Sequence, residues 1–180
     1  VLDPKGELYD LTAAQRRRFG KVYRLAPYAR TGEPTDRYNP LDDVDDPREL
    51  GSRARNLAEM LIVRQGDKGA GEATFFENEA INLLTAIIMY IVEGAAPADL
   101  RARRTLAEVR RVCTLPLLAG KDKREAGVRE YLEDVLLGMS KSSNAYVRGQ
   151  GNLFRGYEQK LLGSFVSEIN SNLAFFDGHP

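Results

Sequence analysis

Apolar residues are most concentrated between Thr74 and Gly94, where almost no polar stripe interrupts them. A helix that is apolar nearly all round is a buried one, so we expect this stretch to form the central helix of the fold. Thr74 and Glu77 have the spacing of a capping box, and Gly94 can end the helix in a left-handed conformation. A membrane span is the alternative, which needs about 20 apolar residues. Polar residues interrupt the first turns and favour the buried helix: Glu77, Asn78, Glu79 and Asn82.

Helical spacing of apolar residues also predicts helices on both sides of this stretch. Asp46 followed by Pro47 supplies a capping residue and a proline at the first helical position, and Glu49 completes a capping box. The apolar residues that follow, up to Ile62, fall on one helical face. Thr105 and Glu108 have the same capping-box spacing, which predicts a short helix ending near residue 113.

Two more helices are predicted in the last third of the chain. One is capped by residues 122–125 and turns a set of apolar residues inward: Val128, Leu132, Val135, Leu136 and Met139. The other is a single long helix from near Ser143 towards Leu173. We expect it to break or kink at Gly149 and Gly151, because glycine weakens a helix interior.

The N-terminal residues follow a different pattern. Val1 and Leu2 precede an Asp-Pro-Lys-Gly turn, which predicts the end of a buried strand. Residues 8–19 predict a short helix with Arg16, Arg17 and Arg18 facing solvent, and alternation over residues 21–25 predicts a short strand. We therefore predict a mainly α fold, a compact helical bundle over residues 46–173. Strand-like segments over 1–45 precede it, and residues 174–180 follow it.

Composition limits the function. Lys and Arg number 26 and Asp and Glu 26, so the chain as a whole does not attract nucleic acid by net charge. The single cysteine, Cys113, excludes an internal disulfide and is expected to be a small core residue. The single histidine, His179, lies near the C-terminus, which leaves no plausible catalytic Ser-His or Cys-His pair. Since the chain starts at Val1 within an apolar run, we expect it to be a fragment of a longer protein.

No motif for nucleotide chemistry is complete. The phosphate loop G-x-x-x-x-G-K-[ST] is absent, because Asp122 follows Gly120-Lys121 and no glycine stands five residues before Gly120. Asp3, Lys5 and Glu7 stand at a strand end, where open α/β sheets place ligand groups. A solvated turn is the alternative that the composition favours. We therefore expect no catalytic residue, no metal site, no bound cofactor and no ATP hydrolysis in this chain.

Charged clusters supply the remaining candidates. Five arginines flank one short helix and are candidate DNA- or partner-contacting residues: Arg101, Arg103, Arg104, Arg110 and Arg111. Such a face can bind phosphates, although a solvated surface is the ordinary state of a charge run. Four aspartates at positions 42, 43, 45 and 46 suggest a cation site, but a following helix N-terminus, which favours negative charge, explains most of that run.

The order of these motifs resembles that of the type IV secretion coupling proteins, the TraG/TraD-like group. The segments that carry the resemblance are VLDPKGELYDLTA at 1–13, YNPLD at 38–42, FFE at 75–77 leading into LLTAIIMYI, TLAEV at 105–109, and GSF at 163–165 followed by NLAFF at 172–176. The DPKGEL and YNPLD pair is the specific part, and the resemblance covers essentially the full chain.

The resemblance implies a hexameric ATPase, anchored in a bacterial inner membrane, with ATP and Mg²⁺ bound by a RecA-like nucleotide-binding domain. It implies that residues 46–173 are the all-α domain inserted into that nucleotide-binding domain on its cytoplasmic side. Residues 1–45 and 174–180 would then belong to the nucleotide-binding domain, with Asp3, Lys5 and Glu7 in the family's DPKGE turn. The fragment itself is expected to be a monomer or a weak dimer.

The function implied by the resemblance is recruitment of secreted effector proteins, adaptors or relaxase–DNA complexes to the secretion channel. Two alternatives remain open: direct DNA binding through the arginine cluster, and a mechanical relay of the ATPase motion. An inserted domain leaves its parent and returns to it. We therefore expect its boundaries, Asp46 and Leu173, to lie close together on one side of the bundle.

Overall fold

A computed structural model describes residues 3, 6–26, 35–36, 38–44, 46–64, 71–94, 104–117 and 130–175. These residues contain seven α-helices and one 3-10 helix, and no strand. The elements are α1 (Glu7–Arg16), η1 (Pro40–Val44), α2 (Leu50–Leu61), α3 (Glu72–Glu93), α4 (Leu106–Cys113), α5 (Leu132–Met139), α6 (Ala145–Gly156) and α7 (Gln159–Leu173). The prediction of a mainly α fold is confirmed. The chain divides into two compact units, residues 1–38 and 39–180, called here the N-terminal unit and the helical unit.

Helix α3 is the core of the helical unit, as its pattern predicts. Its side chains are almost all buried from Ala80 to Val92, and α2, α6 and α7 pack around it. Residues 74–93 are long and apolar enough to cross a membrane, but 72% of an apolar 18-residue stretch within them is buried, as in the core helix of a globular domain. Gly94 ends the helix with a left-handed φ of 69°, which confirms the predicted stop.

The start of α3 differs from the prediction. The helix begins at Glu72 with Gly71 as its N-cap, so Thr74 lies inside the first turn and the predicted capping box does not form. The Phe75 N–H donates to the Gly71 carbonyl at 3.2 Å, which shows that the helix starts before its apolar run: Glu72 is three residues ahead of Phe75.

The helical unit begins at Asn39, and Leu41 and Val44 of η1 are buried in its core. The boundaries of the all-α domain at residues 46 and 173 stay a prediction. Helix α2 begins at Leu50 rather than Pro47, so the predicted capping box at its start is wrong. Asp46 instead accepts a 3.0 Å hydrogen bond from the Arg48 N–H, which stabilises a turn before the helix.

Sequence and structure agree more closely at α4 and α5. The Thr105 hydroxyl accepts from the Glu108 N–H at 3.2 Å, as the capping-box spacing predicts. Of the predicted inward set of α5, Leu132, Val135, Leu136 and Met139 are buried. The predicted cap at residues 122–125 and Val128 lie outside the described residues.

The predicted long C-terminal helix is two helices. The break falls at Tyr157 and Glu158, which have extended ψ angles of 148° and 143°, and not at Gly149 or Gly151. The turn brings the Tyr157 ring to 5.2 Å from the Phe165 ring and 5.7 Å from that of Phe154. Gly151 has a packing role, since a Cβ there would stand 2.5 Å from the Ser140 nitrogen.

The strand predicted over residues 21–25 does not form; residues 21–26 have no regular secondary structure. They are held by isolated hydrogen bonds. The Arg24 N–H donates to the Asp36 carboxylate at 2.6 Å, and the Asp36 N–H donates to the Arg24 carbonyl at 2.7 Å. A strand needs a repeating backbone ladder with a neighbour, which one backbone–backbone hydrogen bond and a few side-chain bonds do not supply. The other strand-like segment, Val1–Leu2, lies outside the described residues.

The expected proximity of Asp46 and Leu173 is contradicted by contacts in the helical unit. The Val63 N–H, after the end of α2, donates to the Asn172 side chain at 2.9 Å. At the other end of α2, Arg53 donates to the carbonyl of Asp43. Twelve helical residues span about 18 Å, so the two boundaries lie towards opposite ends of α2.

Candidate docking groove

An open groove of about 530 Å³ lies between the C-terminal end of α4 and α7. We call it the α4–α7 groove. One wall is the segment that leaves α4, residues 113–117, and the other is one face of α7: Gly163, Val166, Ser167, Asn170 and Ser171.

The first wall is fixed at both of its ends. The Thr114 N–H donates to the carbonyls of Arg110 and Arg111, each at 3.1 Å, and so ends α4. The carbonyls of Pro116 and Leu117 accept from the Leu132 and Glu133 N–H groups at 2.9 and 3.2 Å. These are N-terminal amides of α5 that would otherwise lack a helical partner, so the turn is attached to two helices.

The α7 wall of the groove includes several residues with small side chains. Gly163, Ser167 and Ser171 follow one another at intervals of four residues and so lie on one face of α7. A Cβ at Gly163 would stand 3.2 Å from the Leu117 Cδ1 atom, so this glycine lets the two walls approach at one end. Beyond it, small polar side chains leave the groove open.

Asn170 joins the two walls. Its side-chain amide donates to the Cys113 carbonyl at 2.9 Å, and its oxygen accepts from the Arg110 guanidinium. The amide therefore satisfies a carbonyl at the end of α4 and fixes the position of Arg110 at the same time. The groove is a preformed surface, with side chains held by bonds inside the unit.

The chemistry of the groove suits binding more than catalysis. Hydroxyl, amide and apolar groups line it, and none of its lining residues is charged. Its one thiol, Cys113, is buried, and burial raises its pKa to about 12 against the smaller lowering effect of Arg110. The thiol is therefore protonated at neutral pH, whereas a nucleophilic cysteine is a thiolate.

Comparison with known protein families identifies the family of the chain. Residues 1–144 match the model of the type IV secretory system conjugative DNA transfer family, which is most of the 180-residue chain. The chain belongs to this family. No curated protein and no solved structure showed a significant match. The family match confirms the resemblance drawn from the sequence and connects the chain with type IV secretion and DNA transfer. Helices α6 and α7 lie beyond the matched range, so the match includes only the α4 wall of the groove.

The DPKGE turn of this conjugative DNA transfer protein is described in part. The Asp3 carboxylate accepts from the Tyr9 N–H at 2.8 Å, and the Asp3 carbonyl accepts from the Gly6 N–H at 3.2 Å. Asp3 thus caps the start of α1, where Glu7 is the first residue and is exposed. Lys5 lies outside the described residues. A nucleotide-domain role for these three residues stays a prediction.

The described arginines of the cluster do not form one surface that is available for DNA or a partner protein. Arg110 is bonded to Asn170 on α7, whereas Arg111 pairs with Glu108 at 2.7 Å and Glu130 at 3.1 Å. The hydrogen bond that the Arg111 guanidinium donates to the Glu108 carboxylate raises the pKa of Arg111. Arg104 is half-buried, and its carbonyl accepts from the Asn39 side chain at 2.7 Å. Arg101 and Arg103 lie outside the described residues.

The sequence pattern did not single out the groove itself. The available signal was the four-residue spacing of small residues on α7, within the segment that begins Gly163-Ser164-Phe165. Asn170, which joins the walls, has no sequence signal that distinguishes it from a solvated asparagine. Among the described residues, no group of His, Cys, Asp or Glu side chains could hold a metal ion.

Proposed function

We propose that the helical unit of this family member recruits protein cargo to a type IV secretory system, and that the α4–α7 groove is its docking surface. The cargo class is a secreted effector, an adaptor, or the protein part of a relaxase–DNA complex. The observation that carries the proposal is the preformed, uncharged groove between α4 and α7.

The groove is large enough to take a few side chains of a docked protein segment. Its volume of about 530 Å³ is that of a cleft for a small molecule, which is typically about 300–1,000 Å³ with apolar walls and a few placed polar groups. Leu115, Leu117 and Val166 supply apolar surface, while Ser167 and Ser171 supply exposed hydroxyls. An uncharged lining does not attract a phosphate backbone, which is bound chiefly by Lys and Arg.

Direct DNA binding through the arginine cluster is the weaker alternative. Arg110 and Arg111 already hold partners within the helical unit, so their use for phosphates would cost those bonds. A mechanical relay has no observation in the structure that favours it. We further propose that the chain is part of a homohexameric ATPase that binds ATP and Mg²⁺ on the cytoplasmic face of a bacterial inner membrane. This chain contributes no catalytic group to that ATPase.

The test is the affinity for purified relaxase of the same secretory system, measured by calorimetry with the 180-residue chain. Ser167→Trp fills the groove from its exposed α7 wall. We expect it to weaken binding at least tenfold, or about 1.4 kcal/mol. Ser164→Trp is the matched control, because Ser164 is also exposed on α7 but does not line the groove. It should bind as the unmodified chain does.

The second measurement is the dependence of this affinity on salt concentration. Docking in an uncharged groove predicts an affinity that changes little between low and physiological salt, whereas phosphate contacts predict a steep loss. Equal affinity of the two tryptophan variants for relaxase, effector and adaptor alike would show that the groove is not the docking surface.

A further inference from the structure

The chain turns sharply between α6 and α7, at residues 157–158, which we call the α6–α7 bend. The usual local signals that end a helix are a proline or a glycine in the left-handed conformation. No proline occurs between residues 143 and 173, and Gly156, the last residue of α6, does not have a positive φ. Among the described residues, Glu158 at the start of α7 makes no side-chain capping bond, whereas Asn144 caps α6 by accepting from two backbone N–H groups.

The apolar pattern continues through the α6–α7 bend with the spacing of a single helix. Apolar residues recur every three or four positions on both sides of it: Phe154, Tyr157, Leu161, Phe165 and Ile169. Tyr157 and Glu158 are the two residues that lie between the helices, with ψ angles of 148° and 143°. A change of these residues to a helical ψ of about −42° would join α6 and α7. Local sequence therefore favours one continuous helix.

Packing between helices holds the α6–α7 bend in place. The Tyr157 ring lies 5.2 Å from the Phe165 ring, and the Tyr157 hydroxyl donates to the Glu79 carboxylate on α3 at 3.3 Å. In a continuous helix, eight residues separate Tyr157 from Phe165, which corresponds to about 12 Å along the axis. The contact between these two rings is therefore possible only in the bent form.

Helix α7 cannot leave its position without a replacement. Five of its side chains are buried, each with at most 6% of its surface exposed: Leu162, Phe165, Val166, Ile169 and Leu173. Exposure of so much apolar surface to water is strongly unfavourable. The surface of α3 that α7 covers would lose its partner at the same time. The same face of α7 from a second copy of this chain has the matching shape and chemistry.

We propose that the α6–α7 bend is a hinge, and that it opens into one helix over residues 145–173 when two copies of this chain exchange α7. Exchange of an identical element between copies is a known route to dimers, and short strained connections favour it. The exchanged helix keeps its packing contacts, now made with the other copy. The two forms differ at the bend, where the monomer has the contact between Tyr157 and Phe165 and the dimer has continuous helical backbone.

The exchange changes which chains form the α4–α7 groove. In the monomer the Asn170 amide donates to the Cys113 carbonyl of the same chain at 2.9 Å. In the exchanged dimer this bond joins two copies, so that each groove has its α4 wall from one chain and its α7 wall from the other. The inference rests on the packing of α7 and does not depend on the docking role proposed for the groove.

The test starts from the 180-residue chain refolded from urea at high protein concentration, because exchange requires α7 to leave α3. Size-exclusion chromatography with light scattering then separates monomer from dimer. Gln159→Pro should lock the bent form. Gln159 is exposed at the first position of α7, where proline is favoured, and Glu158 before it already has the extended ψ that proline requires.

In the continuous helix the same proline would lie in the interior, which proline disrupts. Gln159→Pro should therefore weaken dimer formation at least about a hundredfold. Ala145→Pro is the matched control, because Ala145 is the exposed first residue of α6 and follows Asn144, whose ψ is 122°. It places proline at the same helical position away from the bend, and should dimerise as the unmodified chain does.

Two changes at Tyr157 should act in the opposite direction and by different amounts. Tyr157→Ala removes the ring contacts of the bent form and should strengthen dimer formation about tenfold or more. Tyr157→Phe keeps the ring and should stay close to the unmodified chain. Circular dichroism shows whether each variant is folded. If Tyr157→Ala does not fold, the comparison of the two proline variants still decides the question.

Nuclear magnetic resonance distinguishes exchange from ordinary association. The Phe76 ring on α3 lies 5.8 Å from the Phe165 ring on α7. In a dimer made from labelled and unlabelled chains, this contact should give nuclear Overhauser effects between different copies.

Three results would overturn the proposal. The unmodified chain and a folded Tyr157→Ala variant could both remain monomeric after refolding at high concentration. The two proline variants could dimerise to the same extent. Finally, the contact between Phe76 and Phe165 could stay within one copy of the dimer, which would show association through an exposed surface instead of exchange of α7.

Discussion

The two units of this chain differ in how far their apolar residues are buried. In the helical unit, Ile81, Leu84, Ile88 and Ile91 of α3 are completely buried. In the described part of the N-terminal unit Ala13 is the one buried apolar residue, and Leu11 and Tyr23 are 79% and 67% exposed. The comparison shows that the helical unit has its own hydrophobic core and that the described residues of the N-terminal unit do not form one.

The described part of the N-terminal unit is held together mainly by polar contacts. Asp3 caps α1, Tyr9 lies against the guanidiniums of Arg17 and Arg24, and Asp36 receives the Arg24 N–H. Exposed hydrogen bonds contribute about 0.5–1.5 kcal/mol each, whereas each fully buried Leu or Ile contributes about 1.5–3 kcal/mol. We therefore expect the stability of the chain to reside in the helical unit.

The largest effect is expected from a charge in the core. Ile87 is 1% exposed on α3, and an unpaired buried carboxylate costs several kcal/mol. That loss is comparable with a total domain stability of about 5–15 kcal/mol, so Ile87→Asp should unfold the helical unit. Leu11→Asp is the matched change in the N-terminal unit and should leave the melting temperature within a few degrees. A folded Ile87→Asp variant, detected by circular dichroism, would show that α3 is not the core.

A smaller effect is expected where α5 and α6 meet. A Cβ on Gly151 would stand 2.5 Å from the Ser140 nitrogen and 2.8 Å from the Met139 carbonyl carbon. Both neighbours are backbone atoms, so Gly151→Ala should force the helices apart and cost about 1–3 kcal/mol in urea denaturation.

Gly149 supplies the control within the same helix. An added Cβ there meets nothing within 4 Å, and alanine is the better helix former, so Gly149→Ala should stabilise by up to about 1 kcal/mol. If both changes stabilise to the same degree, the close approach of α5 and α6 is not required.

The sequence predicted the helical unit better than the N-terminal one, for a physical reason. The apolar pattern of α3, the Thr105 cap and the described part of the buried face of α5 are local features, and the sequence predicts them. The Tyr157 ring at the break packs against Phe165, and the turn at Asp46 follows Leu41 and Val44, which are buried in the core. Local propensity encodes neither contact. The strand at residues 21–25 has the right alternation but needs a neighbouring strand that the described residues do not supply. The groove depends on α4 and α7 meeting, which no local pattern encodes.

A third prediction concerns alkaline pH. Burial raises the folded-state pKa of Cys113 to about 12, above an unfolded value of about 8.5. The folded chain therefore keeps this proton when the unfolded chain loses it, and the associated stability is present below pH 8.5 and falls as pH rises towards 12. The free energy of unfolding should fall more steeply with pH in the unmodified chain than in Cys113→Ala, by roughly 1 kcal/mol per pH unit. Parallel pH profiles would show that the thiol is not buried.

The most direct test of the two-unit account is to remove the N-terminal unit. The chain of residues 39–180 should keep the melting temperature of the full chain and its affinity for relaxase, because α3 and the α4–α7 groove lie entirely within it. If the shortened chain is unfolded, or if it loses its affinity for relaxase, the division of the molecule into a self-sufficient helical unit and a separate N-terminal unit is wrong.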